Sequence, residues 1–374
     1  MNSKLPIILN SIGLCSLGGY AIYYLWNKLK SKNKIRPPCK DIFELMKKTP
    51  MVYIKSLSEL TGRNIYAKCE NHLPFTSKDR MIKNILMTAQ KQGILHKDSV
   101  IYEGSSGSTA YSVAAISKLL GYKCKIIIPD DCSKEKVQLL KTTGCEIIIT
   151  KQCPFSNFKD NYNRKAKKMA EDDPNGFYVN QFFNTINMET HYKETGPEIY
   201  EQLNQKVDAF VCSAGTGGTI SGISKYLKEK NNNCKVILGD IAGSGMASYI
   251  KEGVMFTKEE SEAMRKKERY YSVLEGIGIN YLTDNFKEAK VDDAYKISDD
   301  EALFISKYVY EHDGIFVGGS TAVNFCAIIK MCKDNLVEKG ANVATIIFDS
   351  GIKYMSKFSG DNEEQNSITD ISQI

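Results

Sequence analysis

One lysine stands in a segment whose neighbours suit it to covalent chemistry. Lys78 lies within the run Thr76-Ser77-Lys78-Asp79-Arg80. A lysine amine can hold an aldehyde as an imine and later carry a proton, and small neighbours let a flat ring lie against the backbone. Most lysines are solvated surface residues, so the pentapeptide alone is a weak signal. We interpret Lys78 as a Schiff-base lysine because of the motifs that accompany it.

Three loops of small residues are candidates for ligand binding. The first, Glu103-Gly104-Ser105-Ser106-Gly107-Ser108-Thr109, offers hydroxyls and helix-start amides that suit a carboxylate. The second, Gly215-Thr216-Gly217-Gly218-Thr219, lets backbone amides close on a phosphate at a helix start. It has neither the Lys of a Walker loop nor the spacing of a dinucleotide fingerprint, and alone it could be a flexible turn. The third is Val317-Gly318-Gly319-Ser320-Thr321-Ala322.

The elements that must position these loops alternate between apolar strands and helical patterns. This alternation, which begins after the linker Arg36-Pro37-Pro38, predicts an α/β fold with a parallel sheet covered by helices. Ligands of such sheets bind at the carboxyl ends of the strands, which is where the loops fall. The predicted strands are 100–102, 125–129, 146–150 and 209–212, and the predicted helices are 110–120, 133–143 and 220–227.

Length and charge limit the classes of function. With 374 residues, 42% hydrophobic and 25% charged, the chain has enough apolar material for two core-bearing units. Six basic residues and no acids lie in residues 1–36; without them the chain has 44 basic and 44 acidic residues. The neutral body argues against a nucleic-acid partner.

Cysteine and histidine usage predicts reduced thiols and no metal site. The eleven cysteines form no CxxC pair, a pattern typical of a cytosol-like compartment. None of the four histidines lies at ligand spacing from a cysteine or another histidine.

The amino terminus predicts a membrane anchor. Residues 5–26 carry no charge and would span about 33 Å as a helix, close to the thickness of a bilayer core. The basic residues follow this run, which argues against a cleaved secretory signal, and its uniform apolarity argues against a matrix presequence. The basic flank places the body on the cytosolic side. We expect the mitochondrial outer membrane, with the endoplasmic reticulum as the alternative.

The motifs taken in order resemble the cysteine synthase/cystathionine β-synthase family of fold-type II pyridoxal-phosphate enzymes. Within it, the chain is most similar to fungal membrane-associated cysteine synthase-like proteins. The match runs from about residue 42 to 358. The motifs that carry it are Thr49-Pro50-Met51-Val52, Ser77-Lys78-Asp79-Arg80, Ser106 to Thr109, Gln181-Phe182-Phe183-Asn184, His191, Thr195-Gly196-Pro197-Glu198-Ile199, Gly215 to Thr219, Glu275-Gly276-Ile277-Gly278, Gly318-Gly319-Ser320 and Asp349-Ser350-Gly351.

The resemblance implies a tryptophan synthase β-like fold with two α/β lobes and a single amino-terminal transmembrane helix. The implied divisions are the anchor and basic flank at 1–36, a large cofactor-binding lobe at 37–70 plus 187–358, a small substrate-binding lobe at 71–186 and a disordered tail at 359–374. It also implies a homodimer.

The resemblance further implies roles for single residues. Lys78 would hold pyridoxal phosphate as an imine, Ser320 would face the pyridine nitrogen, and Ser108 would face the 3′-hydroxyl in place of a family asparagine. Ala110 and Ala322 replace family glycines. The phosphate would bind at Gly215, Thr216, Gly217, Gly218 and Thr219, and the substrate carboxylate at Ser105, Ser106, Thr109 and Gln181.

The activity implied by the resemblance is replacement at the β-carbon of an amino acid. A serine opposite the pyridine nitrogen makes the ring a milder electron sink, which favours this reaction over transamination. We expect a cysteine synthase that converts O-acetylserine and sulfide to L-cysteine and acetate. Condensation of serine with homocysteine, as in cystathionine β-synthase, is the runner-up, and a membrane-tethered scaffold that binds the cofactor with weak activity is the third interpretation.

Overall fold

The computed structural model describes residues 38–151, 161–256, 274, 276–354 and 368–374. The chain divides into two units, Met1–Glu44 and Leu45–Ile374, and the first is described only from residue 38. The predicted anchor at 5–26 and its basic flank lie outside the described residues. Within the described ranges, no helix is both long and apolar enough to cross a bilayer.

In the described part of the second unit, ten strands form two sheets. The larger sheet has the order β1-β2-β10-β7-β8-β9, and the smaller has the order β5-β4-β3-β6. All neighbouring strands are parallel except the pair β1 and β2. The strands are β1 (Met51–Tyr53), β2 (Asn64–Cys69), β3 (Val100–Gly104), β4 (Lys123–Pro129), β5 (Glu146–Thr150), β6 (Gly176–Tyr178), β7 (Ala209–Ser213), β8 (Lys235–Ile241), β9 (Asp293–Ile297) and β10 (Asn342–Ile347).

Helices connect these strands, and the structure confirms the predicted α/β class. Every predicted strand and helix is present, and no end differs from its prediction by more than three residues. The helices are α1 (Lys55–Thr61), α2 (Asp79–Lys91), α3 (Ser108–Leu119), α4 (Lys134–Thr143), α5 (Tyr162–Asp172), α6 (Ile186–Thr190), α7 (Gly196–Gln202), α8 (Gly218–Lys230), α9 (Met246–Glu252), α10 (Asp284–Lys287), α11 (Asp299–Asp313) and α12 (Gly319–Lys333). A π-helical turn, His191–Thr195, joins α6 to α7.

The larger sheet is buried on both faces, which explains why its strands are apolar without a polar alternation. Along β7, Ala209 and Val211 belong to one core cluster, whereas Phe210 and Cys212 belong to the other. With both faces covered, only the loops at the strand ends remain open to ligands. The nine cysteines in the described ranges are free thiols.

The carboxyl terminus differs from the prediction of a disordered tail at 359–374. Residues Ile371–Gln373 form a 3-10 helix, and Ile374 is only 5% exposed within the core cluster of the larger sheet. Lys333 on α12 also donates a 2.7 Å hydrogen bond to the carbonyl of Ser372. Three spaced isoleucines, Ile368, Ile371 and Ile374, pack on the core there, which the polar composition of the tail did not indicate. Residues 359–367 lie outside the described ranges.

Candidate active site

A cavity of about 650 Å³ lies at the carboxyl ends of strands from both sheets. The structure brings all the sequence-predicted site residues to this cavity except Gly218, which begins α8 just behind it. The predicted residues that line it are Lys78, Ser105, Ser106, Ser108, Thr109, Gln181, Gly215, Thr216, Gly217, Thr219 and Ser320.

Lys78 is held in place by the residue that follows it. Helix α2 begins at Asp79, whose buried carboxylate accepts hydrogen bonds from the backbone amides of Phe75 (2.8 Å) and Thr76 (3.1 Å). The same carboxylate accepts a 2.6 Å hydrogen bond from the hydroxyl of Ser112 on α3. The loop before Lys78 is therefore tied down on both sides, and its side chain projects half-buried into the cavity.

A buried ionic cluster also holds helix α2 in place. The guanidinium of Arg80, which is fully buried, pairs with Glu70 at 2.8 Å and with Glu198 at 2.7 Å. Lys68 pairs with the other oxygen of Glu198 at 2.7 Å. Burial opposes ionisation of Glu198, but the bonds from Arg80 and Lys68 prevail and lower its pKa to about 2. Sequence reasoning missed this cluster, since its members lie up to 130 residues apart.

The electrostatics at Lys78 favour a neutral amine. Burial lowers the pKa of this lysine, and the carboxylate of Asp349 opposes that effect only in part. The amine also lies 5.3 Å from the ring centroid of Phe348. A lysine whose pKa is lowered in this way can accept a proton at a pH where an exposed lysine cannot.

The glycines of the loop Gly215–Thr219 pack against protein atoms. A Cβ added at Gly215 would lie 2.2 Å from the carbonyl oxygen of Gly276. At Gly217, which has a φ of 87°, it would lie 2.6 Å from the Cβ of Phe286. At Gly218 it would lie 2.0 Å from Oδ1 of Asn187. Contacts within the protein thus demand these glycines, a reason that the sequence did not reveal.

This loop presents the start of a long helix to the cavity. Helix α8 begins after Gly217 without a side-chain cap, so its first amides point toward the cavity end where an anion is favoured. Thr219 lies 3.2 Å from Nε2 of His191, whose Nδ1 lies 2.9 Å from the hydroxyl of Thr195. Burial, together with nearby cations, lowers the pKa of His191 to about 3, so the imidazole is neutral.

The opposite wall of the cavity is the serine-rich loop Ser105–Thr109 at the start of α3. Thr109 donates a 2.6 Å hydrogen bond to Oε1 of Gln181, and Nε2 of Gln181 donates a 3.0 Å hydrogen bond to Glu103. A Cβ added at Gly107 would meet nothing within 4 Å. Open space therefore lies beside Gly107 at the uncapped start of α3, where a carboxylate can be bound.

The chain matches the family described as pyridoxal-phosphate dependent enzyme over residues 42–349. It belongs to that family. The match spans both sheets and every residue that lines the cavity except Tyr354, so it does not rest on one motif alone.

Relatives of this pyridoxal-phosphate dependent enzyme cover most of its length. Cysteine synthase 2 of Neurospora crassa is 41% identical over 83% of this chain and 71% of that protein. Cysteine synthase 2 of Schizosaccharomyces pombe is 36% identical over 96% of this chain and 94% of that protein. A hydrogen sulfide-producing enzyme of Fusobacterium nucleatum has a similar structure, with a TM-score of 0.72, 31% identity, and coverage of 85% of this chain and 100% of that one.

The residues of this pyridoxal-phosphate dependent enzyme fit the cofactor. The uncapped start of α8 offers amides to a phosphate, and Lys78 offers a desolvated amine to an aldehyde. Of the three departures from the family pattern, only Ser108 lines the cavity. Ala110 and Ala322 are fully buried in α3 and α12, where their methyl groups join the core.

One further residue lies in the cavity wall that sequence reasoning did not single out. Ser77 is 4% exposed and lines the cavity beside Lys78, and its hydroxyl has no hydrogen-bond partner among the described residues. Its position next to the lysine was the available signal in the sequence, but a serine at that position is equally explained by a need for a small side chain.

Proposed function

We propose that this enzyme is a cysteine synthase, which replaces the acetoxy group of O-acetylserine with sulfide to give L-cysteine and acetate. The observation that carries the proposal is the convergence of Lys78, an anion-binding helix start and a hydroxyl-rich loop on one cavity. The relatives named cysteine synthase support it.

Each wall of the cavity has its own task in this proposal. Bound pyridoxal phosphate would withdraw electrons from the α-carbon of the amino acid. The loop Gly215–Thr219 would hold its phosphate, Ser108 would face its 3′-hydroxyl and Ser320 would face its ring nitrogen. The residues Ser105, Ser106, Thr109 and Gln181 receive the carboxylate of the substrate.

Lys78 moves the proton. Its Nζ, whose pKa is lowered by burial toward the neutral amine, takes the proton from the α-carbon. Acetate then leaves the β-carbon as the C–O bond breaks, and the sulfur of sulfide forms the new C–S bond there. The protonated Lys78 returns its proton to the α-carbon, which completes L-cysteine without a net change in the enzyme.

The test measures L-cysteine formed from O-acetylserine and sulfide. We expect Lys78→Ala to lower the turnover number by at least about 1000-fold, the scale of lost acid–base catalysis. The same change at Lys55, whose side chain is 72% exposed, is the matched control and should leave turnover unchanged. A Lys78→Ala enzyme with the turnover of the parent would show that another group does the chemistry.

A relative favours one second candidate. Cystathionine beta-synthase of Saccharomyces cerevisiae is 33% identical over 86% of this chain. Assaying serine with homocysteine in place of O-acetylserine with sulfide separates the two activities. If the cofactor-loaded protein converts neither pair of substrates, the interpretation as a membrane-tethered scaffold is favoured instead.

Domain division and assembly remain proposals of the same kind. The strands of the larger sheet fall in 37–70 and 187–358 and those of the smaller sheet in 71–186, which supports two lobes with these limits. A homodimer is expected, and light scattering of the purified enzyme would test it.

We also retain the proposal of an anchor at 5–26 with the body on the cytosolic face of the mitochondrial outer membrane. The uncharged run and its basic flank support it. A relative from Saccharomyces cerevisiae, 39% identical over 93% of this chain, carries a provisional name that assigns it to mitochondria. Protease added to intact mitochondria should digest the body. Protection until the inner membrane is opened would indicate the matrix instead.

A further inference from the structure

Beneath the serine-rich loop lies a buried carboxylate that the proposed reaction does not use. Glu103 ends strand β3, and its side chain is fully buried. One oxygen accepts a 3.0 Å hydrogen bond from the backbone amide of Asn180, and the other accepts a 3.0 Å hydrogen bond from Nε2 of Gln181. Since Gln181 and Thr109 line the cavity, this carboxylate is one side chain removed from it.

We propose that Glu103 is a positioning residue that sets whether the hydroxyl of Thr109 offers a proton or a lone pair to a carboxylate bound in the cavity. The proposal rests on the proposed function, in which Thr109 and Gln181 receive the carboxylate of the substrate. It assigns to Glu103 the control of how strongly that carboxylate is held.

The ionised state has only one arrangement of these hydrogen bonds. A carboxylate can only accept, so Gln181 must turn its amide nitrogen toward Glu103. Its amide oxygen then faces Thr109, and the hydroxyl of Thr109 must donate to it at the observed 2.6 Å. That hydroxyl has no proton left for a ligand, and its lone pairs face the bound carboxylate.

Protonation of Glu103 permits the reverse order. A protonated carboxyl can donate to the amide oxygen of Gln181 while its other oxygen still accepts the amide of Asn180. The nitrogen of Gln181 then donates to Thr109, and the Thr109 hydroxyl is free to donate to the ligand. One proton taken up at Glu103 thus becomes one hydrogen bond gained by the substrate carboxylate.

The surroundings confine this change to one amide rotation. The carbonyl of Gln181 accepts hydrogen bonds from Asn187 at 3.0 Å and from Asn285 at 3.1 Å, so its main chain is fixed. Asn180, which precedes it, has a φ of 59°, and the bond from its amide to Glu103 holds that conformation. Only the side-chain amide of Gln181 is free to turn.

The pKa of Glu103 lies close to neutral pH. Burial raises the pKa of Glu103 to about 8, against which the two hydrogen bonds act. The titratable groups that interact with it are Tyr162 on α5, Cys124 on β4, Tyr178 on β6 and Tyr281. Burial raises the pKa of each of these four groups, so they stay neutral while Glu103 titrates.

Glu103→Gln is the matched variant, since its amide reproduces the protonated state. Its oxygen can accept a hydrogen bond from the amide of Asn180 while its nitrogen donates to Gln181, which fixes the reversed order at every pH.

The probe is L-alanine, which has a carboxylate but no leaving group. Its dissociation constant is measured by calorimetry on the cofactor-loaded enzyme between pH 6 and pH 9. The titration of its own amine is common to all variants and cancels in their ratio.

We expect the parent and Glu103→Gln to bind L-alanine within about twofold of each other at pH 6. At pH 9 the variant should bind about threefold to tenfold more tightly, the value of one hydrogen bond. In a Thr109→Val background the ratio of the two dissociation constants at pH 9 should fall to about one, whereas in a Thr109→Ser background it should be retained.

A ratio near one at pH 9 with Thr109 present would overturn the role of Glu103. A ratio that is retained in the Thr109→Val background would overturn it as well. Absence of L-alanine binding to the parent at every pH would instead overturn the proposed carboxylate site and this inference with it.

Discussion

The two walls of the cavity are built on opposite principles. On the glycine-rich wall, a Cβ at Gly215, Gly217 or Gly218 would meet protein atoms at 2.0–2.6 Å. On the serine-rich wall, a Cβ at Gly107 would meet nothing within 4 Å. One wall is fixed by close packing of the backbone, and the other presents hydroxyls to open space.

This difference matches the two kinds of ligand that the proposed reaction needs. A cofactor that stays bound through many turnovers gains from a rigid cradle, because little ordering is required when it binds. A substrate that must enter and leave gains from groups whose hydrogen bonds can rearrange. The buried groups behind the two walls differ in the same way. His191, behind the glycine-rich wall, stays neutral, whereas Glu103, behind the serine-rich wall, gains and loses a proton.

The largest expected effect concerns the charge behind the serine-rich wall. Burial raises the pKa of Glu103 from 4.5 to about 8, so its neutral form is favoured by folding. This stabilisation is full below pH 4.5 and is lost as the pH rises to about 8. Between pH 5 and pH 9 the free energy of unfolding should therefore fall by about 4 kcal/mol relative to Glu103→Gln.

Denaturant unfolding at several pH values measures this difference, and the other wall supplies its control. The pKa of His191 is lowered from 6.5 to about 3, so the parent should lose about 2 kcal/mol of stability relative to His191→Gln as the pH falls from 7 to 5, the opposite direction to Glu103, and should keep a constant difference from it between about pH 7.5 and pH 9. If the curves of the parent and Glu103→Gln ran parallel over that range, the buried carboxylate would not titrate there and the contrast between the walls would lose its electrostatic part.

The next effect compares one glycine from each wall. Gly217→Ala should lower the free energy of unfolding by about 3 kcal/mol, because it adds a side chain at positive φ and forces a contact with Phe286. Gly107→Ala should change it by less than about 0.5 kcal/mol. Equal losses at the two positions, measured by urea unfolding, would show that the walls do not differ in packing.

The smallest effect separates the ligands of the two walls. Thr219→Val should weaken the binding of pyridoxal phosphate by about threefold to tenfold, since it removes one hydrogen-bonding hydroxyl, and should leave L-alanine affinity nearly unchanged. Ser106→Ala should do the reverse. Equilibrium dialysis for the cofactor and calorimetry for L-alanine give both numbers. A variant that affected both ligands equally would show that the walls are not specialised.

Sequence patterns located the fold and the cavity well, because both depend on local signals. Strands such as 146–150 and helices such as 133–143 can be predicted from apolar runs and turn residues. Loops that follow parallel strands meet at the same edge of the sheet, because the carboxyl ends of these strands lie there. The three loops therefore met as expected.

What the sequence could not give depends on distant contacts. The pairing of Arg80 with Glu70 and Glu198, and the bond from Gln181 to Glu103, join residues that no periodicity relates. The packing of Ile374 on the core was missed for the same reason, since propensity within a polar tail carries no information about a distant apolar surface.

In the proposed reaction both walls serve the amine of Lys78, and covalent mapping can test which lysine holds the cofactor. The cofactor-loaded enzyme would be reduced with borohydride, digested, and its peptides sequenced by mass spectrometry. We predict a pyridoxyl group on Lys78 and on no other lysine. A pyridoxyl group on Lys136, which also lines the cavity, or on Lys353 would contradict it.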